Sequence, residues 1–372
     1  MTTRILHTSG IAPDADIVRE AGRALAQGSL VIFPTETVYG VGANLLSREA
    51  TESLSRLKDR TPDKPFTLHL ADPSDAARYA GPLSPLARRL ILKTWPGPLT
   101  LVVPDRRETR GEPAGLVEEA LYYQGCIGLR CPDHEVGRAI LREAGVPVAG
   151  SSANLAGRPA PRTLAEALAD LVDKVPLAVD GGPTPYARAS TVVRIREDDT
   201  FEVLREGAIT ARRVERLART RLMFICTGNL CRSPMAAGLA ARKLAGHFGC
   251  EPEELPERGI DVASAGTGTG PGYQASPRAI EAMAERGIDI RDHHSQPITV
   301  DALLASDYIW CMTREHMDAV LTTAPEVAGR VAVLDPSGRS VADPMGGDLD
   351  AYRSCARQME EAITQRLREV VG

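Results

Sequence analysis

The stretch Cys226-Thr227-Gly228-Asn229-Leu230-Cys231-Arg232-Ser233-Pro234 constrains this chain more than any other. An apolar run, Leu222 to Ile225, precedes it, and a small-residue helical pattern, Met235 to Leu244, follows. The order is strand, tight loop, helix, with Cys226 and Arg232 closing the loop at Cys-x5-Arg spacing. A loop at a helix N-terminus presents free backbone N–H groups and the positive end of the helix dipole, so it suits an anion. Pro234 fits the first helical position, where a missing N–H costs nothing. A thiol at the mouth of such a loop is favoured as thiolate, and Arg232 adds a planar fork for two oxyanion oxygens. A lone cysteine is more often an inert core residue. Gly228, Asn229, Arg232, Ser233 and Pro234 in one loop instead read as a phosphate cradle holding a nucleophile. Cys231 either pairs with Cys226 under oxidation or fills space as a small apolar residue.

The chain has 372 residues, room for two domains. Lys and Arg total 44 against 49 Asp and Glu, and this balance makes no case for nucleic acid or an anionic membrane as partner. Seven cysteines without a CxxC pair suit a reducing compartment. No leader pattern opens the sequence and no apolar run approaches about 18 residues. The expectation is a cytoplasmic, soluble enzyme with no metal-ligand set and no membrane partner.

In the first half, a helix runs from Asp16 to about Gly28, and Ser29 to Phe33 reads as a buried strand. Ser47 caps a second helix that delivers Lys58, Arg60 and Lys64 to the loop before the strand Phe66 to Leu70. Such a cation group is usually a solvated face, as His69 on an apolar strand is usually a core residue. Further strands are expected over Leu99 to Val103, Cys126 to Arg130, Val146 to Ala149, Ser190 to Ile195 and Phe201 to Leu204. The polar segment Pro104 to Gly125 reads as a mobile loop or hairpin. Thr163 with Glu166 makes a capping box.

Five ordered motifs carry a resemblance over about residues 10–210. They are Pro34-Thr35-Glu36-Thr37-Val38-Tyr39-Gly40; Lys58-x-Arg60 with Lys64-Pro65 and His69; Trp95-Pro96-Gly97-Pro98-Leu99-Thr100; Ser152-Ala153-Asn154; and Asp180-Gly181-Gly182-Pro183 before Ser190-Thr191-Val192-Val193. Together they resemble the YrdC-type threonylcarbamoyl-adenylate synthase family. That family joins L-threonine, bicarbonate and ATP, with Mg2+, into threonylcarbamoyl-AMP and pyrophosphate, which feeds tRNA modification. The resemblance implies a twisted mixed sheet with helices over 1–210. It implies that Lys58, Arg60, Lys64, Ser152, Asn154 and Arg205 hold ATP, and that Thr35, His69, Arg130 and Ser190 hold threonine. Cys126 stands where a Thr is common and Ala160 where many members carry Ser. The extra C-terminal domain of longer members is absent. The Cys126 and Ala160 departures leave open a degenerate RNA-binding or scaffold module, against which the near-neutral charge argues.

Residues 211–220 read as a short helical linker, and from Arg221 the pattern is β-α-β-α-β-α-β-α. That alternation predicts a four-stranded parallel, doubly wound sheet with the phosphate loop at a strand C-terminal end. Gly266 to Gly272 reads as a flexible surface loop, and His293 and His294 as surface residues. Residues 221–372 resemble the low-molecular-weight protein tyrosine phosphatase family through the cradle, Ser264-Ala265-Gly266 and Asp343-Pro344. The resemblance implies metal-free catalysis on a phosphoprotein. Cys226 is the nucleophile that becomes phosphocysteine, Arg232 the oxyanion clamp and Asp343 the acid and base. Gly228, Asn229, Leu230 and Ser233 support the loop. Asp335-Pro336, the other Asp-Pro pair, reads as a turn. Leu230 favours phosphotyrosine; an arginine phosphatase relative carries Thr at that position, which makes phosphoarginine the alternative. The fold class throughout is α/β.

Overall fold

The computed structural model describes residues 2–9, 12–61, 64–109 and 114–371. The chain divides into two compact units, Met1–Ala218 and Arg219–Gly372.

The first unit is built on a mixed sheet. Its strands run in the order Arg4–His7, Leu177–Asp180, Val31–Phe33, Gly40–Asn44, Val148–Ser152, Thr67–His69, Cys126–Arg130, Leu99–Pro104, Thr191–Ile195, Phe201–Arg205. Both parallel and antiparallel neighbours occur. Short polar side chains start the helices, at Ser47 and Thr163 as expected and at Asp14, two residues ahead of the expected opening at Asp16. Asp14 accepts from Asp16 N and Ile17 N, Ser47 from Ala50 N, and Thr163 from Glu166 N. The return half of the Thr163 box is displaced by one residue, because the Glu166 carboxylate accepts from Arg162 N at 2.7 Å. Val31 and Phe33 enter one apolar cluster and Ile32 the other, so side-chain alternation gives the sheet a core on each face.

Of the two readings of the segment 104–125 the hairpin holds and the mobile loop does not, and the linker expectation changes. The segment 104–125 is pinned by Arg107, whose guanidinium bonds Asp105 at 2.8 Å and Glu118 at 3.0 Å and lies 4.0 Å over the Tyr122 ring. Tyr122–Tyr123 then pairs back on Cys126–Arg130; residues 110–113 lie outside the described residues. The helix Ala211–Ala218, expected as a linker, buries Val214 and Ala218 in the first unit's core.

The second unit carries a four-stranded, all-parallel sheet. Its order is Ile260–Gly266, Thr220–Cys226, Tyr308–Cys311, Val331–Val333. Leu222, Phe224 and Cys226 face one apolar cluster with Met235 and Trp310, whereas Met223 and Ile225 face another with Ile309 and Val320. Helices therefore cover both sheet faces. Thr220–Cys226 pairs on both sides, so the nucleophile candidate ends an interior strand.

Candidate active sites

The second unit's cradle is assembled around Cys226, 2 % exposed at the strand end. The helix begins at Arg232, so Pro234 takes the third helical position instead of the first. That place still lies in the opening turn, whose N–H groups have no helical partner. Cys231 precedes the helix and makes no side-chain cap.

The sulfur accepts from Asn229 N at 3.2 Å and lies 3.0 Å from Ser233 Oγ. Asn229 is fully buried with φ +53, a left-handed conformation that asparagine tolerates better than most residues. Its Nδ2 donates to Ser233 Oγ at 2.8 Å and Ser264 Oγ at 2.9 Å, while its Oδ1 accepts from Gln296 N at 2.9 Å. The side chain thus locks the loop in that conformation. Leu230 is half-buried on the loop, and its carbonyl accepts from Ser276 N at 2.8 Å. Gly228 and Leu230 lie side by side: a Cβ at Gly228 would sit 3.8 Å from Leu230 Cγ.

Arg232, 5 % exposed, donates to Asp343 Oδ2 at 2.5 Å and to the Val341 carbonyl at 3.3 Å. Asp343 is 45 % exposed and its other oxygen accepts from Met345 N. Asp335 is instead buried in a turn, accepting from Ser337 N and Arg339 Nε. The structure thus joins Cys226 with Ser233 and Asn229, and Arg232 with Asp343.

Several supports escaped the sequence reading. His293 is half-buried, and its Nε2–H donates to the Asn229 carbonyl at 2.7 Å. Burial pushes its pKa down. It is therefore a loop support and not a free surface residue, while His294 stays exposed. His316 bridges Thr227 Oγ1 at 2.8 Å and Thr313 Oγ1 at 3.1 Å. Burial and then the nearby Arg232 charge lower its pKa, which favours the neutral ring. The glycine-rich segment is tied down at its start, because Thr267 N and Gly268 N donate to the carbonyls of Cys226 and Thr227. A Cβ at Gly266 would fall 2.5 Å from the Thr227 carbonyl oxygen, so that position requires glycine.

In the first unit, alternate residues of neighbouring strands face a cavity of about 400 Å3. Thr100 and Val102 come from one strand, Cys126 and Arg130 from the next, Val192 and Arg194 from a third. Of the expected site residues, Thr35, Arg60, His69, Arg130, Ser152, Ser190 and Arg205 line it. The lining holds four arginines and, among the described residues, no carboxylate. The charges act on one another: Arg205 lowers the pKa of Arg60, and Arg130 that of Arg205, each after burial as the larger cause.

One end of the cavity is shaped by hydroxyls and a neutral imidazole. Ser190 Oγ lies 2.9 Å from Thr100 Oγ1, and Arg205 donates to the Ser190 carbonyl at 2.9 Å. Thr35 Oγ1 donates to the Val38 carbonyl at 2.6 Å. His69 is pushed down to about 3, first by burial and then by Arg130, so its ring is uncharged at neutral pH. Arg130 donates to Glu36 Oε1 at 2.9 Å and Thr37 Oγ1 at 2.7 Å, deep in the wall. Glu36 is 2 % exposed and had no assigned role from sequence; the motif Pro34 to Gly40 contained it, but only the fold sets it against Arg130.

Lys58, Asn154 and Lys64 are not among the cavity-lining residues. Lys58 Nζ donates to the Ser152 carbonyl at 2.7 Å, to Asn154 Oδ1 at 3.1 Å and to the Asn154 carbonyl. Burial lowers its pKa to about 8, with Arg60 adding to the effect and Asp170 opposing it. All three donors of the ammonium are engaged, so Lys58 braces the Ser152–Asn154 turn. Lys64 lines a smaller cavity of about 190 Å3 that shares Arg60, Pro65 and Phe66 with the larger one.

Comparison with known proteins agrees with this division. The Sua5/YciO/YrdC family model, described as telomere recombination, matches residues 23–207. The model for low molecular weight phosphotyrosine protein phosphatase matches residues 221–371. Threonylcarbamoyl-AMP synthase of Bacillus subtilis is 36 % identical over 198 residues, which cover 53 % of this chain and 55 % of that protein. The chain therefore spans about half the length of this relative. The protein of the same name from Chromohalobacter salexigens is 33 % identical over 191 residues, 50 % of this chain and 97 % of that one. A crystal structure of P. abyssi Sua5 complexed with L-threonine shares the fold, with TM-score 0.53 and 22 % identity over 71 % of this chain and 92 % of that one. Through its first half this chain belongs to the Sua5/YciO/YrdC family, and a low-molecular-weight phosphatase domain is joined to it in the second.

Proposed function

We propose that this chain is a bifunctional cytoplasmic enzyme. Its first unit makes threonylcarbamoyl-AMP from L-threonine, bicarbonate and ATP, and its second removes phosphate from phosphoproteins through a cysteine nucleophile.

For the first unit, the observation that carries the reading is four arginines and no carboxylate around one cavity, with a hydroxyl-lined end. Arg130, aimed by Glu36, receives the threonine carboxylate, and Thr35, Ser190 and the neutral His69 ring complete that end. A carbamate oxygen attacking the α-phosphorus builds charge on phosphoryl oxygens, which Arg60 and Arg205 meet with fixed positive charge. Ser152 adds a hydroxyl, held in place through Asn154 and Lys58. The lining supplies no carboxylate for Mg2+, and no metal-binding cluster of His, Cys, Asp or Glu occurs among the described residues. Mg2+ then belongs to the substrate, as MgATP. The product feeds the tRNA-modification machinery as the partner downstream.

Pyrophosphate release by the purified chain should require threonine and bicarbonate together. Release indifferent to threonine would count against synthesis. Salt-sensitive tRNA binding without ATP turnover would favour the RNA-binding alternative.

For the second unit, Cys226 held by the loop at the strand end, with the Arg232–Asp343 pair at the same loop's helix start, carries the reading. The Cys226 thiolate attacks phosphorus in line and forms phosphocysteine. Loop amides around Gly228, Asn229 and Leu230 and the Arg232 fork hold the equatorial oxygens. Ser233 donates to the departing thiolate in the second step. Because Arg232 holds Asp343 at 2.5 Å, an entering phosphate takes over the guanidinium and frees the carboxyl to protonate the leaving group, then to activate water. Such a nucleophile must stay reduced, which suits the cytoplasm; no helix among the described residues is long and apolar enough to cross a membrane.

Phosphotyrosine is the favoured substrate class, since Leu230 and the exposed Tyr273 offer apolar and aromatic surface to an aromatic leaving group. Phosphoarginine is the second reading, because Met345 beside the acid is 59 % exposed and is not aromatic. Matched phosphotyrosine and phosphoarginine peptides decide between them. Wild type should prefer phosphotyrosine, and Leu230→Thr should shift the ratio toward phosphoarginine by about ten-fold, the scale of a lost apolar contact. A wild type preferring phosphoarginine reverses the ranking.

A further inference from the structure

The first unit's cavity contains one cation that neither the motifs nor the comparisons bring forward. Arg194 belongs to the strand Thr191–Ile195 and lines the cavity beside Val192. It is half-buried, and its Nε is buried without a hydrogen-bond partner. Its guanidinium makes no ion pair among the described residues. The carboxylates of that sheet edge are engaged elsewhere: Glu202, across the ladder from Arg194, pairs with Arg196 at 3.0 Å, and Glu197 with Arg106 at 3.0 Å. An arginine partly withdrawn from water and left uncompensated is unfavourable by itself. At a cavity wall it calls for an anionic ligand.

Position along the strand indicates which anion. Ser190 and Arg130 mark the amino-acid end. Arg194 lies four residues beyond Ser190, roughly 13 Å away at about 3.3 Å per strand residue. Arg205 stands between, bonded to Ser190 and in register with Val192. The cations Lys58 and Lys64, expected from sequence to hold ATP, are not in this wall. A nucleotide whose α-phosphorus sits by the amino acid and Arg205 still has anionic groups to place further along. The adenine base is neutral and gives a guanidinium no charge to answer.

We propose that Arg194 binds the β- and γ-phosphates of ATP and the pyrophosphate they become. The assignment rests on the synthase reading of the cavity and adds a residue to it. As the carbamate oxygen bonds to the α-phosphorus, the bond from that phosphorus to the α,β-bridging oxygen breaks. Its electron pair leaves on the pyrophosphate, where Arg194 meets the gathering charge.

The test is calorimetric titration of the full chain, as wild type, Arg194→Ala and Arg194→Lys, with ATP, inorganic pyrophosphate, AMP and L-threonine. Arg194→Ala should weaken ATP and pyrophosphate by about ten- to a hundred-fold, the range for a hydrogen bond to a charged group. AMP and threonine should bind as in wild type, and Arg194→Lys should recover part of the loss. Wild-type ATP affinity in Arg194→Ala overturns the proposal, as does an equal loss for AMP, which would put the contact on the α-phosphate or nucleoside. A wild type that binds no ATP overturns the synthase reading itself, an outcome distinct from an indifferent Arg194→Ala.

Discussion

Cys226→Ser should lower turnover of p-nitrophenyl phosphate by about ten-thousand-fold or more, the scale of losing a nucleophile. The substitution exchanges sulfur for oxygen at a site 2 % exposed, and serine can keep the contacts to Asn229 N and Ser233 Oγ. Folding stability should therefore change by no more than about 1–2 kcal/mol. The two readouts, turnover and denaturant unfolding, separate loss of chemistry from loss of structure. Asp343→Asn makes a useful companion. It leaves the nucleophile but removes the acid, so the drop should be smaller, about a hundred- to ten-thousand-fold, and greatest for substrates with poor leaving groups. Activity retained in Cys226→Ser would remove the nucleophile assignment.

Glu36→Ala should have the largest effect in the first unit. Glu36 and Arg130 form an ion pair at 2.9 Å with both side chains almost fully buried. Breaking a buried pair from one side leaves the other charge uncompensated, typically at about 3–5 kcal/mol. Arg130 also borders the open cavity and keeps its bond to Thr37 Oγ1, so the loss should fall near the low end, about 3 kcal/mol. Denaturant unfolding reads this directly. In the same protein the Michaelis constant for threonine in pyrophosphate release should rise by more than that for ATP. The guanidinium that receives the amino-acid carboxylate loses its anchor, whereas Arg60 and Arg205 do not touch Glu36. Glu36→Gln preserves shape and an acceptor, so it should recover stability more fully than threonine affinity. An Arg130 that needs no anchor would show unchanged threonine kinetics in Glu36→Ala.

The cradle was readable because its determinants are local. Strand, loop and helix follow one another within residues 220–248, and the loop's chemistry follows from residue types at fixed offsets. The same holds for helix starts at Ser47 and Thr163, where one side chain caps its own chain a few positions on. What escaped was set by distance along the chain. His293 reaches the loop from 64 residues away, and nothing beside it in sequence distinguishes it from a surface histidine. Lys58 sits among cations that look made for phosphate, yet carbonyls 94 and 96 residues away occupy its ammonium. Arg194 lies in an apolar strand run and gains its meaning only when the sheet closes a cavity in front of it. Polar composition leaves the segment 104–125 open between a mobile loop and a hairpin, and only the network on Arg107 and the pairing of Tyr122–Tyr123 decide for the hairpin.

The left-handed asparagine in the cradle also bears on how far this loop could be moved. Its amide is held by Ser264, 35 residues on, and Gln296, 67 residues on, while its carbonyl is held by His293. A graft of residues 226–232 into a foreign scaffold would carry the reactive letters but leave behind the clamps that bend them into shape. The smallest portable piece must run from the strand at Thr220 past Gln296 and on to Asp343, nearly the whole second unit.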